Sequence, residues 1–203
     1  MQPREARDIV IATAALTIAF AIAFADGLTG IFQANVVSLL LVSFVAVATG
    51  FVLHELGHRF LSHRYGYYAE FQMWPFGVGL ALLFSFLGFV FAAPGAVVIH
   101  PKADIWGRFV PIEKRKYALV SLIGPAVNMV LAGAFILAHM LAPLTLAGIP
   151  MFVLAAQINL WLALFNMIPF PPLDGSKVFA WRKDVWGVFF GALLVLFVVG
   201  FIF

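Results

Sequence analysis

The sequence predicts an all-α polytopic membrane protein with about five to six transmembrane helices and a small interfacial β-hairpin or re-entrant segment. Of its 203 residues, 64% are hydrophobic and 10% are charged, whereas about 25% of the residues in soluble proteins are charged. Long apolar runs recur along the chain, several of them about as long as a helix that crosses the hydrocarbon core. We therefore expect residues 1–203 to form a single membrane-embedded domain.

Five apolar segments are predicted as helices, each bounded by polar residues or by glycine and proline. They cover residues 9–25, 36–65, 117–141, 151–170 and 185–203. The first segment follows two arginines and therefore has the general form of a signal peptide. Its last residues, Ala23-Phe24-Ala25-Asp26, are a poor cleavage context, so we expect it to be retained as a span.

Residues 67–93 do not have the pattern of a membrane-crossing helix. Residues 67–75 are rich in aromatic residues, alternate in part and are too short to span, which predicts a strand or hairpin at the membrane interface. Residues 78–93 are apolar but short, and glycines and Pro94-Gly95 interrupt them. We expect this segment to be re-entrant or interfacial and sheltered by protein, because lipid-exposed irregular backbone is not tolerated in the hydrocarbon region.

The positions of the basic residues predict the orientation. All twelve Lys and Arg residues lie at the N-terminus, at the end of the second segment, in the polar stretch up to Lys116, and in a loop over 177–183. The turns 26–35 and 142–150 contain none. By the positive-inside rule, the N-terminus and the other basic regions of this multi-pass cell-membrane protein are cytoplasmic. This pattern requires that residues 78–93 do not cross.

The composition also excludes some classes of function. The chain has no cysteine, so disulfides and thiolate metal ligands are impossible. Its net charge is +3, which in a membrane protein reports loop orientation rather than nucleic-acid binding. We expect contact with the lipid bilayer and no nucleic-acid partner.

Residues 54–58, inside the second predicted helix, read His-Glu-Leu-Gly-His. The two histidines are about one helical turn apart, so both rings leave the same face and can bind one zinc ion. Glu55 can then hold and deprotonate a metal-bound water. A histidine in a helix is more often a hydrogen-bonded core residue, but three ionisable residues within five positions of a membrane segment favour a functional site.

A catalytic zinc ion has three protein ligands and one open position. Asp174 is the strongest candidate for the third ligand, because it follows the fourth predicted helix at the same cytoplasmic-side depth as His54 and His58. Prolines at 169, 171 and 172 disrupt the end of that helix and can turn the chain inward.

Other candidates for the third ligand stay open. His63 and His100 lie near the polar boundary, where water can solvate them, and are weaker competitors. His139 lies near the opposite face. Glu70 and Asp104 are expected to be solvated loop carboxylates.

Three motifs, in this order, resemble those of the site-2 protease family of intramembrane zinc metalloproteases. They are HELGH at 54–58, Gly-Pro-x-x-Asn at 124–128, and Asn-x-x-Pro followed by Pro-Leu-Asp-Gly at 166–175. The match covers roughly residues 36–180, the expected catalytic core. The resemblance implies one zinc ion held by His54, His58 and Asp174, with Glu55 as general base.

The resemblance further implies cleavage of single-span transmembrane proteins within or near the bilayer, often with release of a cytoplasmic regulatory domain. Asn128 and Asn166 are candidates to donate to the developing oxyanion, although asparagines in apolar helices also serve as hydrogen bonds between helices. The strand at 67–75 could hold an extended peptide by strand addition, or could simply anchor the protein at the interface. The peptide-binding and nucleotide-sensing domains of many relatives are not visible.

Two other functions remain possible from the sequence: a membrane metal transporter and a catalytically silent scaffold. Glu55 fits the hydrolytic motif, and no other span contains inward acids or histidines that would form a transport path. Replacement of Glu55 by Gln separates these functions. A protease loses activity and keeps its metal, a transporter loses flux, and a scaffold is unaffected.

Overall fold

The computed structural model describes residues 2–30, 32, 35–103, 106 and 109–202. Over these residues the chain forms eight helices and three antiparallel hairpins. The helices are α1 (Pro3–Phe24), α2 (Gly27–Gly30), α3 (Val36–Arg64), α4 (Pro75–Ser85), α5 (Lys114–Leu141), α6 (Met151–Asn166), α7 (Asp174–Trp181) and α8 (Lys183–Ile202). The paired strands are β1 (Tyr68–Met73) with β2 (Gly95–His100), β3 (Lys102–Ala103) with β4 (Phe109–Val110), and β5 (Thr145–Leu146) with β6 (Ile149–Pro150).

Within the described part of the chain, α1, α3, α5 and α8 are long and apolar enough to cross a membrane. Helix α6 has 16 residues, which at about 1.5 Å per residue is shorter than the hydrocarbon core. The prediction of a helical membrane protein with a small hairpin is confirmed. The number of crossings, predicted as five to six, stays a prediction because it depends on α6.

The segment between β1 and β2 starts from one end of the hairpin and returns to that same end. Met73 is the register partner of Gly95, and the Trp74 amide donates to the Pro94 carbonyl at 2.8 Å. Between these points α4 leads outward to Phe86. There the backbone passes so close to Gly27, just beyond α1, that a Cβ on Gly27 would lie 2.4 Å from the Phe86 oxygen. The segment therefore begins and ends at paired positions of one hairpin, as a segment that does not cross would. That residues 78–93 do not cross stays a prediction.

Contacts between elements place the predicted basic regions at one end of the helix bundle. The start of α1 contacts the end of α3 through Glu5 and Arg59. The same end of α3 contacts the first turns of α5 through His58 and Val120, and the start of α7 through Asp174. This grouping agrees with the predicted segregation of charge. Which side of the membrane this end faces stays a prediction.

Two details of the predicted elements are wrong. The fourth helix ends at Asn166 rather than near residue 170, because three prolines follow within six residues and each removes a helical donor. The basic stretch 177–183 is not a loop. Most of it belongs to α7, an additional short helix in which Asp174 is the first residue.

Helix α3 lies at the centre of the bundle, packed against α1, α5 and α6. Fully buried alanines occur on both α1 and α3, at Ala12, Ala19 and Ala46, within one buried apolar cluster. Small residues of this kind let helix backbones approach closely in a membrane. The close packing fixes the position of the helix that carries the histidines.

Candidate metal centre

The two predicted histidine ligands and the predicted base lie on the buried side of α3. His54, Glu55 and His58 are only 3%, 6% and 5% exposed. The imidazole rings meet edge to face, with their centroids 4.6 Å apart. The one-turn spacing therefore brings the two rings together, as the sequence predicts.

Asp174 completes the cluster from a different part of the chain. Its Oδ2 atom lies 3.4 Å from Nε2 of His54 and 3.0 Å from Nε2 of His58. The donor atoms of these three residues all lie within 4.8 Å of one another, and among the described residues they are the group of His, Asp and Glu side chains that could hold a metal ion.

The turn after α6 brings Asp174 into place. A Cβ on the next residue, Gly175, would lie 2.1 Å from the carbonyl oxygen of Met167, so only glycine lets α7 begin this close to the turn. Lys177, one turn along α7, donates to the Pro172 carbonyl. Its Nζ also lies 3.6 Å from Oδ1 of Asp174. The Asp-Gly pair is therefore a packing requirement as well as a ligand motif.

Each histidine uses its other ring nitrogen to bond to α5. Nδ1 of His54 lies 2.6 Å from Oδ1 of Asn128, and Nδ1 of His58 lies 2.6 Å from the Val120 carbonyl. Bonds of this kind fix the tautomer and the ring orientation of metal-binding histidines. Both Nε2 atoms therefore face Asp174 with their lone pairs available.

The space among the donors fits a metal ion. A Cβ on Gly124 of α5 would lie 2.5 Å from Nε2 of both His54 and His58, so this glycine keeps the space clear. Oε2 of Glu55 is buried and has no hydrogen-bond partner among the described residues. Two imidazole nitrogens, one carboxylate and an unused acceptor beside them match the donor set of a zinc site that keeps one position open.

A small cavity of about 30 Å³ adjoins the site, which is enough for about one or two waters. Its lining residues come from α3, α5, the end of α6, α7, the turn before α7 and strand β2, and include Glu55, Asn166, Lys177, Val97 and Ile99. The strand beside the site is therefore β2. The strand predicted at 67–75, observed as β1, pairs with β2 and contributes no described residue to the lining of this cavity.

The two predicted asparagines differ in their bonds. Both hydrogens of the Asn128 amide are engaged, by the Gly50 carbonyl at 3.1 Å and by Oδ1 of Asn159 at 2.9 Å. Asn166 donates to the Leu162 carbonyl at 2.9 Å and lines the cavity, and no other described residue accepts from its amide. In this arrangement Asn128 has no hydrogen left for an oxyanion.

The competing ligands lie elsewhere. Nε2 of His100 is 3.7 Å from Oε1 of Glu70 on the hairpin, and Glu70 accepts from Tyr68 and Gln72 rather than from water alone. His63 is exposed at the end of α3. His139 lies near the end of α5, far along that helix from Val120. Asp104 lies outside the described residues.

Three features of the site environment were missed by sequence reasoning: Asn159, Lys177 and the ion pair of Glu5 with Arg59. Asn159 is fully buried in the middle of a largely apolar helix. A polar residue in such a run is a signal that could have identified it. For Lys177 and Glu5 the sequence carries no comparable signal, since each belongs to an ordinary charged segment.

The fold and the site define a helical membrane protein with an internal metal-binding centre. No family model matches the chain. It is 28% identical over 151 residues to "Putative zinc metalloprotease YwhC" of Bacillus subtilis, with 66% of this chain and 65% of that protein aligned. A solved structure, "Site-2 Protease from Methanocaldococcus jannaschii", superposes with a TM-score of 0.48 and 20% identity over 80% of this chain and 62% of that one.

A stronger match is to "Putative zinc metalloprotease MJ0611" of Methanocaldococcus jannaschii. The two sequences are 36% identical over 149 residues, which cover 73% of this chain and 74% of that protein. At this identity and coverage the chain belongs to the same family, the site-2 protease family of zinc metalloproteases.

Proposed function

We propose that this protein is an intramembrane zinc metalloprotease that hydrolyses peptide bonds of single-span transmembrane proteins within or near the bilayer, as in regulated intramembrane proteolysis. The observation that carries the proposal is the convergence of His54, His58 and Asp174 beside Glu55, inside a bundle of membrane-length helices. The zinc metalloproteases among its relatives support zinc as the metal.

His54, His58 and Asp174 hold the zinc ion, one per chain. When bound, zinc supplies Lewis-acid chemistry, because it polarises a carbonyl oxygen and makes water nucleophilic at neutral pH. Asn128 and Val120 keep the two imidazoles in the orientation that this requires.

Glu55 transfers the protons. Its Oε2 has no hydrogen-bond partner in the part of the chain that the structure describes, so it can accept a hydrogen bond from the attacking water, take its proton and deliver it to the leaving amine. Asn166 lines the same cavity. Its second amide hydrogen can be donated to the developing oxyanion. Asn128 acts on His54 instead, as a positioning residue.

The substrate must reach this site in an extended form, because the backbone groups of an intact helix are already bonded to one another. A cavity of about 30 Å³ holds water but no peptide, so the wall must move. Strand β2 forms part of that wall, and we expect the β1–β2 hairpin to shift and to hold the peptide by strand addition. A metal transporter is less consistent with the structure, since the described residues contain a single cluster of metal-binding side chains.

The test uses purified protein in lipid vesicles together with a model single-span substrate. Wild type should bind zinc and cleave, a chelator should stop cleavage, and added zinc should restore it. Glu55→Gln should keep zinc and lose cleavage, whereas Asp174→Ala should lose both. The matched control is Glu113→Gln, an exposed carboxylate at the start of α5, which should behave as wild type. Normal cleavage by Glu55→Gln would refute the proposal.

The proposed orientation places the N-terminus and the zinc end of the bundle on the cytoplasmic side of the cell membrane. The absence of native cysteine makes this simple to test with single cysteines. Glu113→Cys at the zinc end and Thr145→Cys in the β5–β6 hairpin are both at exposed positions. In intact cells an impermeant thiol reagent should label only Thr145→Cys, and labelling of Glu113→Cys alone would invert the orientation.

A further inference from the structure

A chain of buried side-chain amides connects α6 to the first histidine ligand. Nδ2 of Asn159 donates to the Ala155 carbonyl at 2.9 Å, and Oδ1 of Asn159 accepts from Asn128. Oδ1 of Asn128 in turn lies 2.6 Å from Nδ1 of His54. Both asparagines are fully buried, so no water competes for these bonds. This chain of hydrogen bonds therefore joins three helices, α6, α5 and α3, and ends at the metal centre.

The donor and the acceptor of each hydrogen bond in this series can be assigned in only one way. A backbone carbonyl only accepts, so the Asn159 atom beside Ala155 must be the amide nitrogen, and the atom facing Asn128 must be the oxygen. The Asn128 atom that faces both this oxygen and the Gly50 carbonyl must then be nitrogen, since both partners are acceptors. The atom of Asn128 that faces His54 is therefore oxygen.

An oxygen at that place requires a hydrogen on Nδ1 of His54. A neutral imidazole has one N–H, so Nε2 is left with its lone pair. Nε2 is the atom that faces Asp174 and His58. The sequence of donors and acceptors that begins at a backbone carbonyl of α6 therefore fixes the proton of His54 on Nδ1. Its Nε2 lone pair, on α3, is then available to bind a metal ion.

We infer that Asn159 is a positioning residue of the metal centre, which acts through Asn128 to hold His54 in the tautomer that can bind zinc. This inference rests on the proposed zinc site and extends it to a residue outside the three sequence motifs. His58 needs no such chain, because its Nδ1 bonds directly to the Val120 carbonyl. The two ligands of one protein therefore provide an internal comparison.

Gly50 is part of the same arrangement. A Cβ on this residue would lie 2.6 Å from Oδ1 of Asn159 and 3.2 Å from Nδ2 of Asn128. The bare backbone of α3 therefore lets both amides reach each other, while its carbonyl supplies the second acceptor for Asn128. Asn159 supplies the other acceptor. Without it one buried hydrogen of Asn128 has no partner, at a cost that favours other arrangements of the amide.

The experiment measures ¹⁵N chemical shifts of labelled histidine in the metal-free protein and zinc affinity of the same samples. The wild-type spectrum should show His54 and His58 each with a protonated Nδ1. In Asn159→Leu, His54 should become a mixture of tautomers while His58 stays unchanged. Zinc affinity should fall about tenfold or more, as for other partners of metal-binding histidines. Asn159→Thr should recover part of this loss, because its hydroxyl can donate to Ala155 and accept from Asn128.

The matched control is Gln157→Leu, which removes an amide from the same helix. Gln157 bonds to the Gly200 carbonyl on α8 and should leave both histidine signals and zinc affinity as in wild type. If Asn159→Leu does not fold, the wild-type spectrum and Asn159→Thr still decide. Two results would overturn the inference. One is a wild-type His54 that carries its only ring proton on Nε2, and the other is unchanged His54 signals and zinc affinity in folded Asn159 variants. A wild type that binds no zinc would instead refute the proposed function.

Discussion

Helix α3 is held on two sides by buried polar contacts of different kinds. Toward α5 and α6, neutral amides and imidazoles form a chain of hydrogen bonds that ends at His54. Toward α1 and β1, Arg59 donates from Nη1 to both carboxylate oxygens of Glu5 at 2.8 Å. Glu5 also accepts from the Phe71 amide at 3.3 Å. One side is neutral and directional, and the other is an ion pair between elements that are distant in sequence.

This difference gives the two sides of α3 different roles: the amide side controls the histidine tautomer, and the ion-pair side contributes stability. Neutral hydrogen bonds have a donor and an acceptor end, so they can specify which nitrogen of His54 carries the proton. An ion pair specifies no tautomer, but removal of one partner leaves an uncompensated buried charge. We therefore expect changes on the amide side to alter metal binding first, and changes on the ion-pair side to alter stability and hairpin position first.

The largest effect is expected at Gly124, on the amide side. In Gly124→Ala the new Cβ would lie 2.5 Å from Nε2 of both histidines, which leaves no position for an ion that both can bind. The variant should fold and contain no zinc. Metal analysis of the purified protein measures this. Gly133→Ala is the control, because a Cβ there has no neighbour within 4 Å, and a zinc-loaded Gly124→Ala would contradict the structure.

The next effect is expected at Arg59, on the ion-pair side. Arg59→Leu leaves Glu5, which is 4% exposed, without its cation and should destabilise the protein by about 3 kcal/mol. Thermal unfolding in detergent measures this loss, and zinc affinity of the folded fraction should change little. The double variant with Glu5→Leu should recover most of the stability, and Arg64→Leu, at an exposed position, is the control. A tautomer change at His54 in Arg59→Leu would remove the proposed separation.

How far the sequence predicts this arrangement depends on the range of each interaction. The apolar segments predicted the spans α1, α3, α5 and α8 closely, since length and hydropathy are local properties. The one-turn spacing of His54 and His58 predicted their meeting for the same reason. Asp174 was placed correctly only by matching the depths of two separate segments.

The remaining contacts depend on tertiary packing. The bond of Asn128 to His54 and its link to Asn159 require a specific rotation of α5 and α6 about their axes, which hydropathy does not encode. The sequence predicts a basic loop where α7 lies, because the eight residues of this helix are too few to show a helical hydrophobic period clearly. The predicted first helix begins at residue 9 and leaves Glu5 outside it, whereas α1 begins at Pro3 and buries Glu5.

A smaller effect is expected from Gly50→Ala, which disturbs the amide side without touching a ligand. The added Cβ would lie 2.6 Å from Oδ1 of Asn159 and should push this amide away from Asn128. Zinc affinity should fall about tenfold, as expected for a displaced partner of a metal-binding histidine. Gly57→Ala on the same helix is the control, since its nearest neighbour would be 3.5 Å away, an ordinary contact. Equal affinities of the two variants would show that the spacing at Gly50 is unimportant.

The smallest effect is expected at Lys177, which belongs to neither side of α3 and acts on Asp174 from α7. Its ammonium lies 3.6 Å from Oδ1 of Asp174 and is partly screened by solvent. Lys177→Met removes a positive charge near the bound cation and should strengthen zinc binding about threefold, a gain that high salt should reduce. Lys183→Met, at an exposed position, should change nothing. Weaker zinc binding in Lys177→Met would mean that the lysine matters more for holding Asp174 in place than for its charge.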